Sequence, residues 1–238
     1  MRLRTLGGLQ AVIAGGPDGQ GGGDGPVVVL CHGFGAPGDD LVGLVPLLKA
    51  PPELRFVFPA APLALDGVGD ARAWWMIELE RLQLGVRRPR DLAEVPRGLV
   101  EARALLASLL DAVQSELGVA GERLVLGGFS QGAMLSLDVA LHRASPLAGL
   151  VLLSGTLIAE PVWTPLLPAR RGLPVFLSHG SEDPLLPFAV AELLRDQLSS
   201  AGLGVEWMPF RGGHEIPLPV LRGVGRFLAR VLAVDERK

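Results

Sequence analysis

The chain has 238 residues, of which 49% are hydrophobic and 20% are charged, which fits a globular domain and excludes an intrinsically disordered chain. A formal net charge of −3 with scattered arginines gives no basic surface that would favour nucleic acid as a partner. The single cysteine, Cys31, excludes internal disulfides and a metal site of clustered thiolates, and no apolar run reaches the roughly 18 residues of a transmembrane segment, so a cytoplasmic protein is expected.

Strand-like and helix-like patterns alternate along the chain. Residues 1–16 predict a first strand, and the glycine-rich tract 15–26 predicts a flexible turn between strands. Further strands are predicted at 27–31, 55–58, 123–126, 147–153, 173–178 and 205–210. Helices are predicted at 39–48, 97–117, 131–143, 187–201 and 216–234. This alternation predicts an α/β fold, a single domain over 1–238, with a mostly parallel central sheet and helices on both faces.

Two segments, 59–96 and 156–172, interrupt this alternation. They contain prolines and tryptophans without clear periodicity. Long irregular connections often act as lids or binding loops, although they can simply wrap the edge of a sheet. A functional role is favoured because both segments adjoin the motifs described below. The arginine cluster at 87–90 is interpreted as a solvated loop rather than a site for an anionic headgroup.

The pentapeptide Gly-Phe-Ser-Gln-Gly at 128–132 is the central motif. Ser130 falls between a predicted strand and a predicted helix, which is the strand–turn–helix setting of a nucleophilic serine. A strained turn exposes the hydroxyl there, and side chains at 128 and 132 would collide with the neighbouring strand and helix. The helix N-terminus adds partial positive charge for a developing oxyanion. The alternative interpretation is a glycine-flanked helix cap without a catalytic role.

A nucleophilic serine needs a base, usually a histidine oriented by a carboxylate. Three histidines follow the serine, at positions 142, 179 and 214. The chain order expected is serine, acid, histidine, and position 214 is the one preceded by a loop that follows a strand and contains an acidic residue. In that loop Asp183 is preferred to Glu182, because an Asp-Pro pair shapes a turn that can hold the carboxylate. The alternatives are Glu182 as the acid, Asp183 as a helix cap and His214 as a solvated loop residue.

Two backbone N–H donors are needed to stabilise a tetrahedral oxyanion. One comes from the residue after the nucleophile, Gln131, and the other from an early strand-end loop. The loop His32-Gly33-Phe34-Gly35 follows the first buried strand, and Phe34 is the candidate donor within it. Cys31 precedes this loop and is interpreted as a core residue rather than a second nucleophile.

Together these features resemble the phospholipase/carboxylesterase family of α/β-hydrolases, which includes acyl-protein thioesterases and small bacterial carboxylesterases. The resemblance covers about residues 26–230. It rests on LCHGFG at 30–35, FPAAP at 58–62, RAWW at 72–75, GGFSQG at 127–132, SHGSEDP at 178–184 and GHE at 213–215. The resemblance implies the α/β-hydrolase fold.

Carried over to this chain, the resemblance implies Ser130 as nucleophile, Asp183 as orienting acid and His214 as general base, with the oxyanion donors named above. It also implies that Trp74 or Trp75 lies beside the acyl pocket. The next residue is a methionine where the family often has an acidic residue, and this departure bears on acyl-chain preference rather than on the reaction.

The expected activity is therefore cleavage of carboxylic esters with short-to-medium acyl chains through an acyl-enzyme on Ser130. The substrate is expected to be a small ester or lipid-like molecule, because the irregular segments are apolar, and Leu157 is a further candidate for the pocket. Thioesters and lysophospholipids are alternative substrates for the same residues.

No metal or organic cofactor is expected, and apolar loops near the mouth would make a homodimer unsurprising. A rival hypothesis from another class is a non-catalytic binding protein of the same fold, which covalent reactivity at Ser130 would exclude. A carbohydrate esterase or a dienelactone-type hydrolase is a further alternative, although the latter usually carries a cysteine nucleophile.

Overall fold

The computed structural model describes residues 1–77 and 92–232, so the arginine cluster at 87–90 lies outside the described residues. The strands are β1 (Arg2–Leu6), β2 (Leu9–Gly15), β3 (Val27–Cys31), β4 (Arg55–Pro59), β5 (Leu63–Ala64), β6 (Arg72–Ala73), β7 (Leu124–Phe129), β8 (Gly149–Leu153), β9 (Pro174–Gly180) and β10 (Gly204–Phe210). The α-helices are α1 (Val45–Leu48), α2 (Leu99–Glu116), α3 (Gln131–His142), α4 (Glu160–Trp163), α5 (Phe188–Ser200) and α6 (Leu218–Val231). Short 3-10 helices lie at Val42–Leu44, Gly121–Arg123 and Thr164–Arg170.

Eight of these strands form one sheet in the order β1-β2-β4-β3-β7-β8-β9-β10. β1 pairs with β2, and β2 with β4, in antiparallel orientation. The remaining strands of the sheet, from β4 to β10 in this order, run parallel to one another. The expected α/β fold with a mostly parallel sheet is confirmed. In the sheet, β3 lies between β4 on one side and β7 on the other, so the order of the strands reverses direction at β3. A crevice forms at the carboxyl ends of the strands where the strand order reverses in this way. The loop after β3 and the turn after β7 meet there.

Both faces of the sheet are buried. In β3, Val27 and Val29 belong to one core while Val28 and Leu30 belong to the other, because successive side chains of a strand point to opposite faces. Helices α2, α3 and α5 contribute to the first core, and α1 and α6 contribute to the second. The prediction of helices on both faces is therefore confirmed.

Two local predictions were wrong in detail. Residues 1–16 form an antiparallel hairpin of β1 and β2 rather than one strand. Gly7 and Gly8 make its turn with φ values of 53° and 87°, in a region that favours glycine. The predicted helix at 39–48 is a 3-10 turn followed by the four residues of α1, which ends at Lys49 in a left-handed conformation with φ 54°.

The irregular segments contain local structure. The first includes a hairpin of β5 and β6, and the second includes α4 and the 3-10 helix Thr164–Arg170. The two segments are joined directly, because Ala159 N–H donates to Glu94 O and Glu160 N–H donates to Leu92 O. Among the helices of the described ranges, none combines the length and the apolar character needed to cross a membrane.

A buried ion pair joins three helices behind the turn after β7. The carboxylate of Asp138 on α3 has no exposed side-chain surface and accepts hydrogen bonds from Arg103 of α2 at 2.6 and 3.3 Å. It also accepts a hydrogen bond from the indole N–H of Trp163 on α4 at 2.8 Å. Because α3 begins directly after Ser130, this network fixes the helix that adjoins the predicted nucleophile.

Arg103→Met is expected to lower the free energy of unfolding by about 3–5 kcal/mol, because it leaves a buried carboxylate without its charged partner. Arg4→Met is the matched control, since Arg4 pairs with Glu116 at the surface, where an ion pair contributes at most about 1 kcal/mol. Urea unfolding at neutral pH measures both variants. Equal losses of stability in the two variants would contradict this role for the buried pair.

Candidate active site

Ser130 stands on a sharp turn between β7 and α3. Its dihedral angles, φ 54° and ψ −117°, lie in a region that a non-glycine residue rarely adopts. A Cβ atom at Gly128 would come within 2.4 Å of the Cys31 carbonyl oxygen, and one at Gly132 within 2.2 Å. A side chain at either position would therefore push β3 away from the turn, as the motif predicts. The Ser130 N–H donates to Leu153 O at 2.8 Å and ties the turn to β8.

The structure brings Ser130, His214 and Asp183 together from the ends of three strands. The Ser130 hydroxyl oxygen lies 2.8 Å from His214 Nε2, and His214 Nδ1 lies 2.7 Å from Asp183 Oδ2. Because an ionised carboxylate only accepts, Nδ1 carries the proton and Nε2 presents its lone pair to the hydroxyl. The Phe129 ring packs against the imidazole with centroids 4.8 Å apart. In this arrangement a histidine can take a proton from a serine.

Both oxygens of the buried Asp183 carboxylate are hydrogen-bonded. Oδ1 accepts from the N–H groups of Leu185 and Leu186 at 2.8 and 2.9 Å, as expected for a turn built on an Asp-Pro pair. Oδ2 accepts from His214 and lies 3.3 Å from His179 Nε2. Burial acts to raise the pKa of this carboxyl, but the contacts with both histidines and the backbone hydrogen bond from Leu186 outweigh it and hold the pKa well below its usual range. The carboxyl is therefore ionised at neutral pH.

The alternative residues considered from the sequence make other contacts. The Glu182 side chain is 60% exposed and accepts a hydrogen bond from Arg211 at 2.9 Å. His142 lies at the end of α3 with Nδ1 2.8 Å from the carbonyl oxygen one turn earlier, at Asp138. Within the described ranges, neither side chain has a hydrogen bond to Ser130.

The predicted oxyanion donors, Phe34 and Gln131, lie on the loop after β3 and on the turn after β7. Gly33, which precedes Phe34, lies so close to the turn that a Cβ there would be 3.3 Å from Ser130 Cβ. Gln131 follows the serine directly. In the described part of the chain, neither backbone N–H donates to a protein acceptor. One unpaired N–H next to the serine and another on the adjoining loop are the kind of donors that bind a developing oxyanion.

His32 is the first residue of the loop that carries Phe34. Its ring is buried, Nδ1 lies 2.8 Å from Gly33 O, and Nε2 accepts the Ala61 N–H at 3.0 Å. The indole N–H of Trp74 donates to the His32 carbonyl oxygen at 3.0 Å. Burial lowers the pKa of His32, although the hydrogen bond to Gly33 opposes this shift, and the ring is therefore neutral at neutral pH.

The Gln131 side chain binds the segment that contains the two tryptophans. Its Oε1 accepts the Trp74 N–H at 2.9 Å, and its Nε2 donates to Trp75 O at 2.8 Å. Trp74, Trp75 and Leu157 are 1%, 3% and 1% exposed, so all three lie within the larger core. Their contact with an acyl chain stays a prediction.

The hairpin of β5 and β6 is attached to the loop after β3. Gly35 N–H donates to Arg72 O at 2.9 Å, and Arg72 N–H donates to Ala36 O at 3.1 Å. This hairpin and the residues just after it expose three apolar side chains, those of Leu63, Val68 and Met76. Leu63, Val68 and Met76 are called the apolar rim below, and the exposed Asp66 and Asp70 lie on the same hairpin.

Three site contacts were not predicted from the sequence. His32 and His179 are both fully buried, and the signal that could have indicated them is that each stands before a glycine at the end of a strand. Ser154 is buried with a left-handed φ of 46°, and its hydroxyl lies 3.3 Å from Glu215 O, next to His214. No pattern in the sequence indicates this last contact.

The structure also describes the remaining reactive groups. Cys31 is fully buried, and burial raises the pKa of its thiol to about 12, which fits a core residue and not a second nucleophile. Over residues 1–77 and 92–232, no three His, Cys, Asp or Glu side chains are grouped so that they could hold a metal ion.

The chain is similar to known proteins over most of its length. Acyl-protein thioesterase 1 of Neurospora crassa is 28% identical over 218 residues, 86% of each chain, and that of Eremothecium gossypii is 31% identical over 179 residues, 72% of each chain. The crystal structure of esterase PE8 is 28% identical and superimposes with a TM-score of 0.81, covering 94% of this chain and 99% of its own. The sequence pattern of the phospholipase/carboxylesterase family matches residues 21–232. The chain thus belongs to the phospholipase/carboxylesterase family.

Proposed function

We propose that this protein is a serine hydrolase that cleaves carboxylic esters with short-to-medium acyl chains through an acyl-enzyme on Ser130. The observation that carries the proposal is the continuous hydrogen-bonded chain from the Ser130 hydroxyl through His214 to the buried Asp183 carboxylate. Relatives named as thioesterases and an esterase support cleavage of ester bonds. An esterase of this kind acts on small ester or lipid-like substrates.

In the first half-reaction, His214 Nε2 takes the hydroxyl proton while Ser130 Oγ forms a bond to the ester carbonyl carbon. The carbonyl electron pair moves onto its oxygen, and the N–H groups of Phe34 and Gln131 stabilise that charge. His214 then gives its proton to the alcohol oxygen as the carbon–oxygen bond breaks. Water repeats these steps on the acyl-enzyme and releases the acid. Ionised Asp183 keeps Nε2 directed at the serine and stabilises the imidazolium.

An uncharged acyl chain is the substrate group favoured by the exposed apolar side chains on the loops of the candidate site. The rim formed by Leu63, Val68 and Met76 is apolar, and Leu185, two residues after Asp183, is also 45% exposed. Each methylene group that such a surface buries contributes about 0.8 kcal/mol to binding. These side chains therefore support a preference among esters that depends on the size of the apolar acyl chain.

Hydrolysis of acyl thioesters is a second candidate. It is favoured by two relatives, both named acyl-protein thioesterase 1. The same residues carry the reaction, with a thiol in place of the alcohol as the leaving group. The two candidates differ in the leaving group and in the length of the acyl chain, and a substrate series separates them.

Incubation with a fluorophosphonate is expected to add one phosphonyl group at Ser130, because an activated serine oxygen displaces fluoride from phosphorus. Ser130→Ala should prevent the adduct and lower kcat by on the order of 10⁴–10⁶-fold. The control Ser115→Ala removes an exposed hydroxyl on α2 and should keep both the adduct and the activity. Intact-protein mass and peptide mapping give the result, and a folded wild-type protein without an adduct would contradict the proposal.

Asp183→Asn is expected to change how stability depends on pH. The folded-state pKa of Asp183 lies below the unfolded value of about 3.9, so its stabilising contribution is present above that pH and is lost as the pH falls toward the folded pKa. The difference in unfolding free energy between wild type and variant should therefore be largest near neutral pH and shrink below about pH 4. Urea unfolding at several pH values tests this, with Glu182→Gln as the exposed control. Parallel curves for wild type and Asp183→Asn would contradict the assignment.

A series of p-nitrophenyl esters and matched thioesters, from acetyl to palmitoyl, tests the substrate class. For the esters, kcat/KM should rise by up to about fourfold per methylene while the pocket can bury it, and then level off between butyryl and octanoyl. A maximum at the palmitoyl thioester instead would favour the second candidate. The Ser130→Ala variant serves as the blank for both series.

A further inference from the structure

The hydrogen-bond partners of His32 fix its ring in one neutral tautomer. Gly33 O can only accept, so Nδ1 carries the proton, and Ala61 N–H can only donate, so Nε2 presents a lone pair. The buried ring is thereby satisfied at both nitrogens. It also packs against Trp74, with ring centroids 5.6 Å apart. His32 is therefore held rigidly, and it holds Gly33 O in turn, with a longer hydrogen bond from the Ala36 N–H at 3.4 Å as the second donor to that oxygen.

The hydrogen bond to Gly33 O fixes the orientation of the Phe34 N–H. Carbonyl and N–H belong to one planar trans peptide unit and point in opposite directions, so fixing the first also fixes the second. This peptide needs such a restraint because glycines stand on both sides of Phe34, and Gly35 has a φ of 80°. Glycine-flanked backbone rotates freely unless hydrogen bonds hold it.

The second predicted donor is restrained by its own side chain. The side-chain amide of Gln131 is fully buried, accepts a hydrogen bond from the Trp74 N–H and donates one to Trp75 O. The Trp74 indole N–H in turn donates to His32 O. One buried hydrogen-bond network thus connects the loop after β3 with the turn after β7.

We propose that the side chains of His32 and Gln131 are positioning residues that hold the two oxyanion donors, Phe34 N–H and Gln131 N–H, in their working orientation before substrate arrives. This inference rests on the proposed function, and it identifies the side chains that hold the two oxyanion donors in place. Neither side chain touches the substrate. Each acts through the backbone, so its loss should weaken binding of the transition state more than binding of the ester.

Two substitutions at position 32 separate the two ring contacts. His32→Asn keeps an N–H group close to the position of Nδ1 and can still donate to Gly33 O. His32→Gln keeps an oxygen close to the position of Nε2, which can accept the Ala61 N–H, but it loses the donor to Gly33 O. A merely structural histidine gives no reason for the two variants to differ in this direction.

We expect His32→Gln to lower kcat by about 10²-fold with KM changed by less than about threefold, the loss typical of one oxyanion donor. His32→Asn should retain within about tenfold of wild-type kcat, because the contact that orients Phe34 survives. The matched control is His142→Gln, which changes a histidine at the end of α3 and should leave kcat unchanged. Thermal unfolding of each variant shows which proteins are folded.

Inhibition by a trifluoromethyl ketone gives the second measurement. Ser130 Oγ adds to the ketone carbon, its proton passes to His214 Nε2, and the carbonyl oxygen becomes an oxyanion bound by the two N–H donors. The inhibition constant should rise in His32→Gln by the same factor by which kcat/KM falls. Binding of the corresponding alcohol, which cannot form an oxyanion, should not change.

Gln131→Ala tests the proposal from the other loop, because it keeps the backbone donor and removes the side chain that holds it. It should lower kcat and ketone affinity by about 10²-fold each. Equal losses in His32→Asn and His32→Gln, or wild-type kcat in folded Gln131→Ala, would overturn the proposal. Wild-type protein that fails to react with fluorophosphonate would instead refute the proposed function, so the two failures are distinguishable.

Discussion

The end of β3 lies against the turn after β7 with no side chain between them, and the rest of the site depends on this contact. Cys31 pairs with Gly128 in register, and its carbonyl oxygen occupies the space that a Cβ at 128 or 132 would need. Because both strands end at the same level, the loop that follows Cys31 arrives beside Ser130. The nucleophile and the backbone donors are therefore brought together by one close approach of two strands.

The proposed base and acid come from the same edge of the sheet. Asp183 follows β9 and His214 follows β10, and the carboxyl ends of parallel strands meet there. Burying a carboxylate in this position is unfavourable unless its oxygens are satisfied. Three donors, two of them backbone N–H groups, satisfy Asp183 and keep it charged, and His179 Nε2, which donates to Leu186 O, lies 3.3 Å from Oδ2. The fold thus supplies an ionised group at a place where water is largely excluded.

The sequence allowed prediction wherever local chemistry decides the structure. The bounds of β3 were predicted correctly, because five consecutive apolar residues between Pro26 and His32 fit a strand buried on both faces. The proposed triad residues could be chosen because nucleophile, acid and base each need a particular side chain at a strand end. The N-terminal hairpin does not follow from the sequence pattern, because a turn made of Gly7 and Gly8 looks like an interruption within one strand.

Contacts between distant residues could not be predicted in the same way. Ala61, which donates to His32, is 29 positions away from it in the sequence, and Asp138, which accepts from Arg103, is 35 positions away. Neither pairing follows from periodicity or from a motif, because each depends on how loops and helices pack after the sheet has formed. The buried amide of Gln131 is a further case, since its backbone role could be predicted while its side-chain contacts could not.

The position of β10 affects the order in which the residues of the site assemble during folding and separate during local unfolding. β10 lies at one edge of the sheet, where it pairs with β9, while β3 and β7 lie in the middle. Edge elements open at a lower free energy than the whole domain, so a local opening there would withdraw His214 while the turn at Ser130 stayed intact. During synthesis the order is reversed: Ser130 emerges first, and His214 follows 84 positions later. Assembly of the triad thus comes late in synthesis, and it is lost early when the edge of the sheet opens.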